Sequence, residues 1–219
     1  MSKDTGSATP FADLTSAWMQ LGESAVKSAT AMNRAAVGAS ADNGGNGDDA
    51  DVAESGTEAA ELRQGSVPSL AFETDEWEYE RSVEQADSIT VGDSVSFSKP
   101  IDDADVERFA LASGDTNRLH LDDEFAAEAR FGGRIAHGTL VSGLISAALA
   151  RLPGLTIYLS QDMEFRGPVR IGDRVTATVE IIEDLGNDQY RLSTVVSDGE
   201  GEVIIDGEAV VLIDNLPEE

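Results

Sequence analysis

The sequence predicts an α+β domain in which an antiparallel sheet wraps around a central buried helix. Residues 135–152 are apolar on nearly all sides of a helical projection, which is typical of a helix covered by protein on every face. After Pro153-Gly154, the chain changes to long segments rich in Val, Ile and Thr that are separated by clusters of turn residues. Long antiparallel strands can cover such a helix only by curving around it. That arrangement is the hot-dog fold.

The chain divides into three predicted zones. Residues 1–37 contain an amphipathic helix that begins at Pro10, because apolar side chains recur there at steps of three and four. Residues 38–66 are rich in glycine and acidic residues, a composition that predicts a flexible linker. Residues 67–219 form the folded domain. We therefore expect the first helix to be tethered to the domain rather than packed into its core.

Turn and capping residues predict where the elements of the folded domain begin and end. Asp102 or Asp103 can cap a helix that ends before Gly114, and its apolar side chains fall on one face. The expected elements, in order, are a strand at 91–98, a helix at 102–112, a short helix at 122–130, the buried helix at 135–152, and strands at 155–168, 174–184, 189–197 and 202–213.

The balance of charges restricts the partners of the protein. There are 42 acidic and 15 basic residues, which give a net charge of −27 at pH 7. Such a charge repels nucleic acid and anionic membranes. The acidic excess runs through the whole chain and favours a halophilic source, because dense carboxylates keep a protein hydrated in high salt. No apolar run approaches the roughly 18 residues of a membrane span and no secretory signal is recognised, so we expect a cytoplasmic protein.

Two side chains suited to proton transfer, Asp115 and His120, lie five positions apart after the helix that ends near Gly114. A loop of that length can fold back so that both face one point. Hydration of a double bond needs a base to take a proton from water and an acid to protonate carbon, and a carboxylate and an imidazole can divide these tasks. The backbone N–H of Gly138, at the start of the buried helix, is suited to stabilise an enolate-like oxygen.

Each of these signals also has a purely structural interpretation. An Asp after a Gly is common in turns and caps, and an isolated histidine is more often structural than catalytic. The pair His137-Gly138 is also an ordinary helix start. Their combination favours a catalytic site. The chain has no cysteine and only two histidines, so we expect no metal, no cofactor and no recognisable cluster of metal ligands.

The segments 112–120 and 131–140 resemble the MaoC-like, (R)-specific enoyl-CoA hydratases. The resemblance continues through Tyr158-Leu159, 165–169 and 172–175, and it spans about residues 89–213. It implies a hot-dog fold that adds water to trans-2-enoyl-CoA and yields (R)-3-hydroxyacyl-CoA. It also implies a homodimer with its sites near the subunit interface.

The resemblance implies roles for individual residues. The family's catalytic Asp and His fall on Asp115 and His120, and its oxyanion donor falls on the N–H of Gly138. A serine that supports the catalytic Asp falls on Ser146. The rival, Ser142, lies one turn earlier, and either serine can instead bond back to its own helix. The candidates for substrate binding are Asn117, His137 and Ser142. Arg118 stands where the family commonly has Pro, which bears on the rigidity of the loop.

The leading functional prediction is therefore an enoyl-CoA hydratase, whose product could supply monomer for polyhydroxyalkanoate synthesis. One alternative is a hot-dog acyl-CoA thioesterase, because one fold can host several reactions. Another is an acyl-CoA-binding protein that its N-terminal helix tethers to a polyhydroxyalkanoate granule or to the synthase. Trp18 and Leu21 lie on the apolar stripe that would make this contact.

Overall fold

The computed structural model describes residues 62–217, and these form eight strands, four α-helices and one 3-10 helix. The elements are β1 (Leu62–Gln64), β2 (Phe72–Thr74), β3 (Glu78–Arg81), the 3-10 helix (Ala86–Ser88), β4 (Ser94–Pro100), α1 (Asp103–Ser113), α2 (Arg118–Leu121), α3 (Asp123–Glu128), α4 (Gly138–Leu149), β5 (Leu155–Phe165), β6 (Arg174–Gly186), β7 (Gln189–Ser197) and β8 (Val203–Asp214). Six of the strands form one antiparallel sheet in the order β3-β4-β6-β7-β8-β5, and β1 pairs with β2.

The helix α4 packs against this sheet and forms the core with it. Alternate residues of β6 turn towards the core, since side chains of a strand point to opposite faces in turn. The fully buried ones are Val175, Ala177, Val179 and Ile181. The helix contributes Val141, Leu144, Ile145, Ala148 and Leu149. The predicted α+β class, with an antiparallel sheet around a central helix, is confirmed.

The expectation that the sheet covers the whole circumference of α4 is wrong for the single chain. One face of the helix is exposed, and it carries the small residues Thr139, Gly143 and Ser146. A Cβ atom added to Gly143 would meet nothing within 4 Å. The sequence suggested burial on every side because small residues interrupt an apolar pattern only weakly. Such residues gain little from burial, so the face that carries them can remain exposed.

Several boundaries differ from the predicted ones. The helix α4 covers Gly138–Leu149 rather than 135–152, β5 ends at Phe165 rather than at residue 168, and β1, β2 and β3 were not predicted. The strand β4 begins at Ser94 rather than at residue 91, because Gly92 makes a turn at a φ of 97° and its N–H bonds to Ile181 O. The short helix predicted at 122–130 is α3 (Asp123–Glu128), and a further short helix that was not predicted, α2 (Arg118–Leu121), precedes it. Asp122 ends α2 and caps α3, accepting from Phe125 N–H. The helix α1 follows its prediction closely, with Asp102 at its start and Gly114 at its end.

Regular structure is present before the predicted boundary at residue 66, because β1 covers Leu62–Gln64. The strand β1 pairs with β2 in register, with Arg63 opposite Glu73. The predicted N-terminal helix and nearly all of the predicted linker lie outside the described residues. Within residues 62–217, none of the helices combines the length and the apolar character needed to cross a membrane.

A buried arginine joins the β1–β2 segment to the end of α4. Arg151 is 2% exposed and Glu73 is 6% exposed. The distance between Arg151 Nη2 and Glu73 Oε1 is 3.8 Å. The guanidinium of Arg151 also lies 4.1 Å from the centre of the Phe97 ring, and the hydroxyl of Ser69 donates to Ala150 O. Burial lowers the pKa of Arg151 from its ordinary value, and the charge of Glu73 opposes this effect. The segment therefore covers the C-terminal end of the central helix.

Candidate active site

Asp115 lies in the loop that follows α1, and local hydrogen bonds fix where this loop begins. Gly114 ends the helix in the left-handed conformation, at a φ of 77°, and its N–H donates to Ala110 O. The hydroxyl of Ser113 donates to Phe109 O (2.7 Å) and accepts from Asp115 N–H (3.1 Å). Asp115 thus leaves the helix in a defined position and remains exposed to solvent.

His120 lies on α2, a short helix that begins after Asn117. The Asn117 side chain accepts from Leu119 N–H (3.0 Å), and the Asn117 N–H donates to Asp115 Oδ1 (3.3 Å). The His120 ring is buried, and its Nδ1 lies 2.8 Å from Ile135 O. A carbonyl oxygen can only accept, so Nδ1 carries a proton. In the neutral ring the lone pair is therefore on Nε2.

His137 is the second buried imidazole, and it links the Asp115 loop to the start of α4. Its Nε2 lies 3.0 Å from Asp115 O. Its ring lies 3.9 Å from the His120 ring and 4.9 Å from the Phe109 ring, measured between centroids. One carboxylate oxygen of Asp115 and one ring nitrogen of each histidine lie within 4.8 Å of one another. The predicted pair Asp115 and His120 therefore does face one point.

This cluster corrects the expectation that the chain has no recognisable set of metal ligands. Asp115, His120 and His137 come close enough for their donor atoms to share a divalent ion. Each histidine, however, uses one ring nitrogen in a hydrogen bond to a main-chain carbonyl and can offer only the other. The two histidines are distant in sequence and meet through tertiary structure, so ligand spacing could not reveal the cluster.

Gly138 is the first residue of α4 and lies beside a pocket of about 410 Å³ that His120 also lines. The first N–H groups of a helix have no partner within the helix, and the helix dipole adds positive potential there. A Cβ atom at this position would lie 2.8 Å from Cε1 of Phe165. The aromatic ring therefore packs directly on the glycine, and only glycine allows this close approach.

The remaining wall of the pocket is mostly apolar, with two arginines beside it. Val141, Ile204 and Ile205 belong to this wall, together with Arg130 and Arg166. Such a wall suits an apolar chain attached to a polar or anionic group. Sequence reasoning missed Arg130 and the packing of Phe165, since neither position follows from a motif spacing.

Arg166 forms an ion pair at the edge of the pocket. It bonds to Asp206 (2.5 Å) and also contacts Glu164 (2.8 Å). The hydrogen bond to Asp206 raises the pKa of Arg166, and the same bond lowers the pKa of Asp206. Both groups are exposed and stay charged in neutral solution.

The other predicted site residues have local structural contacts. The hydroxyl of Ser142 donates to Thr139 O (3.0 Å), which is the alternative bond back to its own helix. Ser146 is exposed, and within residues 62–217 its hydroxyl is not bonded to Asp115. Asn117 uses its side-chain oxygen as a helix cap, and His137 is 1% exposed. The roles assigned to these residues in substrate binding or in support of Asp115 stay predictions.

Comparison with known proteins shows the family. Residues 79–202 match the family model described as MaoC like domain, a segment that includes Asp115, His120, His137 and Gly138. The chain belongs to the MaoC-like family. The match begins within β3, so β1 and β2 lie outside it.

Relatives of the MaoC-like domain are aligned over most of their own length. A 3-hydroxybutyryl-CoA dehydratase from Methylorubrum extorquens is 45% identical over 130 residues, which are 58% of this chain and 82% of the relative. An (R)-specific enoyl-CoA hydratase from Rhodospirillum rubrum is 41% identical over 129 residues, 58% of this chain and 90% of the relative. The solved structure of an (R)-hydratase from A. caviae involved in PHA biosynthesis matches with a TM-score of 0.56 and 38% identity, and covers 57% of this chain and 98% of that one.

Proposed function

We propose that this protein reversibly hydrates trans-2-enoyl-CoA to (R)-3-hydroxyacyl-CoA. The observation that carries the proposal is the position of three groups. Asp115 and His120 lie within 4.8 Å of each other, and Gly138 begins α4 beside the pocket that His120 lines. Two relatives are named as a 3-hydroxybutyryl-CoA dehydratase and an (R)-specific enoyl-CoA hydratase, which are the two directions of one type of reaction. The proposed (R) configuration of the product rests on the similarity to the (R)-specific enoyl-CoA hydratase from Rhodospirillum rubrum.

In the proposed reaction, the thioester carbonyl accepts a hydrogen bond from Gly138 N–H at the positive end of α4. Asp115 and His120 hold a water molecule next to C3. One of the pair takes a proton from the water as its oxygen bonds to C3, and the electrons of the double bond move to the carbonyl oxygen as an enolate. The pair then delivers a proton to C2 and the carbonyl re-forms. The elements of water are added, and no other reactant is needed.

The test follows the loss of enoyl absorbance with crotonyl-CoA in high-potassium buffer. Asp115→Asn and His120→Gln should each lower kcat by about 10²–10⁴-fold, because each removes a group that transfers a proton. Asp87→Asn is the matched control, since Asp87 is an exposed carboxylate on the 3-10 helix. Circular dichroism should show that all the variants are folded.

Turnover close to wild type in Asp115→Asn would contradict the assigned chemistry. Release of free thiol from saturated acyl-CoA, without loss of absorbance from crotonyl-CoA, would identify the thioesterase instead. Longer enoyl-CoA substrates must be included, because the apolar wall of the pocket determines which chains fit.

We propose in addition that the protein acts as a homodimer. The exposed face of α4 carries Thr139, Gly143 and Ser146, and small side chains allow a second chain to approach closely. Leu111, on α1, is 85% exposed. Of the two edges of β5, one pairs with β8 and the other has no partner strand among the described residues, and natural proteins usually cover such edges. A second copy would cover these surfaces.

The dimer can be tested by light scattering after size-exclusion chromatography. Gly143→Arg should yield a monomer, because the added side chain has free space within its own chain but would clash with a second chain on this face. Ala127→Arg is the control with the same change of charge on an exposed helical position of α3. A Gly143→Arg protein with the mass of the wild type would place the dimer contact elsewhere.

We propose that residues 1–61 direct the enzyme to a polyhydroxyalkanoate granule or to the synthase. The support is the apolar stripe that the sequence predicts for this region and the involvement of the A. caviae (R)-hydratase in PHA biosynthesis. Deletion of residues 1–61 should spare turnover and abolish binding to isolated granules. The deletion ends at residue 61 because β1 begins at Leu62. Unchanged granule binding would contradict the tether.

A further inference from the structure

The two histidines of the site bond to the backbone through opposite ring nitrogens. His120 faces Ile135 O with Nδ1, whereas His137 faces Asp115 O with Nε2. Since each carbonyl oxygen can only accept a hydrogen bond, His120 carries a proton on Nδ1 and His137 carries one on Nε2. The structure therefore specifies two different tautomers for two rings that stack 3.9 Å apart.

We propose that His137, which carries a proton on Nε2 and donates it in a hydrogen bond to Asp115 O, is a positioning residue for the catalytic pair. This inference rests on the proposed function. The ring contacts His120 through its face and Asp115 through its Nε2, and the next residue in the chain is Gly138. One side chain thus links the acid/base pair to the oxyanion donor.

The surroundings of His137 favour Nε2 over Nδ1 as the nitrogen that carries the ring proton. The residue is 1% exposed, and its Nδ1 is buried with no hydrogen-bond partner among the described residues. A proton on Nδ1 would be an unsatisfied buried donor, which is costly, whereas a proton on Nε2 bonds to Asp115 O. The other groups near the ring are Phe109 from α1, His120 from α2 and the carboxylate of Asp115, one oxygen of which lies within 4.8 Å of a His137 ring nitrogen.

This arrangement matters to the reaction because the Asp115 carboxylate is exposed and lies in a loop. The carboxylate accepts a hydrogen bond from Asn117 N–H at Oδ1 (3.3 Å). The main-chain N–H of Asp115 donates to the hydroxyl of Ser113 (3.1 Å). The His137 bond holds the main-chain carbonyl of the same residue from the opposite side of the loop. A displacement of about 1 Å in a catalytic group can cost about 10²-fold in rate.

The first test is the tautomeric state of each ring, measured by two-bond ¹H–¹⁵N correlation spectra of the full chain. There are only two histidines, so the spectrum contains four ring nitrogens. We expect one ring with its proton on Nδ1 and the other with its proton on Nε2, and His120→Gln assigns the signals. A His137 ring whose proton lies on Nδ1 and not on Nε2 would overturn the proposal. This result does not depend on catalysis.

The second test compares His137→Gln with His137→Met. The glutamine Nε2 is the same number of bonds from the backbone as the histidine Nε2 and can donate to Asp115 O, whereas methionine has a similar length and no donor. We expect kcat in His137→Gln to stay within about tenfold of wild type and kcat in His137→Met to fall about 10²-fold, with KM changed less than threefold in both.

Equal kcat values in the two variants, or a loss confined to KM, would overturn the positioning role. Wild-type turnover of crotonyl-CoA is measured beside them. If the wild type is inactive with every enoyl-CoA, the proposed function fails, while the tautomer measurement still tests the placement of His137. If His137→Met does not fold, the tautomer measurement on the wild type still tests whether His137 donates from Nε2 to Asp115 O.

Discussion

At the scale of single residues, close contacts at the start of α4 determine the shape of the candidate site. Gly138 contributes its N–H and also leaves room for the ring of Phe165, which packs at a distance that a Cβ atom would reduce to 2.8 Å. Phe165 is itself 54% exposed, so its ring can move when it is pushed. The pocket wall and the oxyanion donor are therefore coupled through one glycine.

Gly138→Ala should lower turnover and leave stability almost unchanged. The added methyl group displaces the Phe165 ring from the pocket, and the exposed ring can turn away at a cost of about 1 kcal/mol or less. In a Phe165→Ala background, the same glycine substitution should have little further effect, because the clash is absent. Steady-state kinetics of the four proteins measures this coupling. Equal losses in both backgrounds would show that Phe165 is not the partner.

The pH dependence of stability should include a contribution from Asp122. Its pKa lies below the ordinary value of 3.8, chiefly because of the hydrogen bond from Phe125 N–H and then because of Arg118. A carboxyl with a lower pKa in the folded state binds fewer protons there than in the unfolded state. Its stabilisation is present above about pH 3.8 and is lost as the pH falls through the lower folded value.

Asp122→Asn tests this contribution, since asparagine can still cap α3 but carries no charge opposite Arg118. Urea unfolding at a series of pH values should show a wild-type advantage above about pH 4 that shrinks in more acidic solution. An advantage that is independent of pH would assign the effect to the cap alone.

At the scale of elements, the loop that carries Asp115 lies between the helices α1 and α2. The helix α1 starts with a capping box, in which Asp102 and Asp105 each accept from the other's N–H, and Lys99 pairs with Asp105 (2.6 Å). It ends at Gly114, one residue before Asp115. The β1–β2 segment, by contrast, covers the C-terminal end of α4, and the ion pair between Glu73 and Arg151 joins the two.

Glu73→Gln should destabilise the fold by about 3–5 kcal/mol, because it leaves the charge of Arg151 buried without a partner. Glu76→Gln is the matched control, since Glu76 is exposed in the same segment. A second change, Arg151→Met, should restore part of the loss when it is added to Glu73→Gln, because the unpaired charge is then absent. Urea unfolding at neutral pH measures all four proteins. A loss no larger than that of the control would mean that the segment is not held by this pair.

At the scale of the whole molecule, net charge is the main physical peculiarity. The chain carries −27 at pH 7, and mutual repulsion of its carboxylates opposes the compact state. An anionic thioester must also approach this surface. Arg130 lies beside the pocket and offers positive charge there, whereas Arg166 is paired with Asp206 and Glu164. Added salt screens the repulsion within a Debye length of about 3 Å at 1 M.

Raising KCl from about 0.1 M to about 2 M should increase the free energy of unfolding, because screening removes repulsion between carboxylates. Thermal unfolding followed by circular dichroism measures the change, and an uncharged osmolyte serves as the control for general solvent effects. A transition temperature that does not respond to KCl would show that the acidic surface does not destabilise the fold at low salt. It would also remove the physical argument for a halophilic source.

Much of the fold and part of the candidate site could be predicted from the sequence alone. The capping and turn residues of α1, Asp102 and Gly114, indicated its ends, and segments rich in Val, Ile and Thr indicated the strands β5 to β8, whereas β3 was not predicted. The pair Asp115 and His120 could be recognised because a loop of five positions is short enough to bring both groups together. All of these depend on interactions between residues close in sequence, whose geometry local chemistry largely determines.

Only the tertiary structure decided how distant segments meet. The stack of His137 on His120, the ring of Phe165 on Gly138 and the pair of Arg151 with Glu73 each join residues from different elements. The exposed face of α4 also became visible only once the sheet had been placed. Side-chain packing and the direction of a carbonyl set these contacts, and no periodicity or motif spacing records them. The sequence by itself thus indicated most of the elements and the candidate pair Asp115 and His120, whereas the packing of the core decided which ring nitrogen each histidine turns to a main-chain carbonyl.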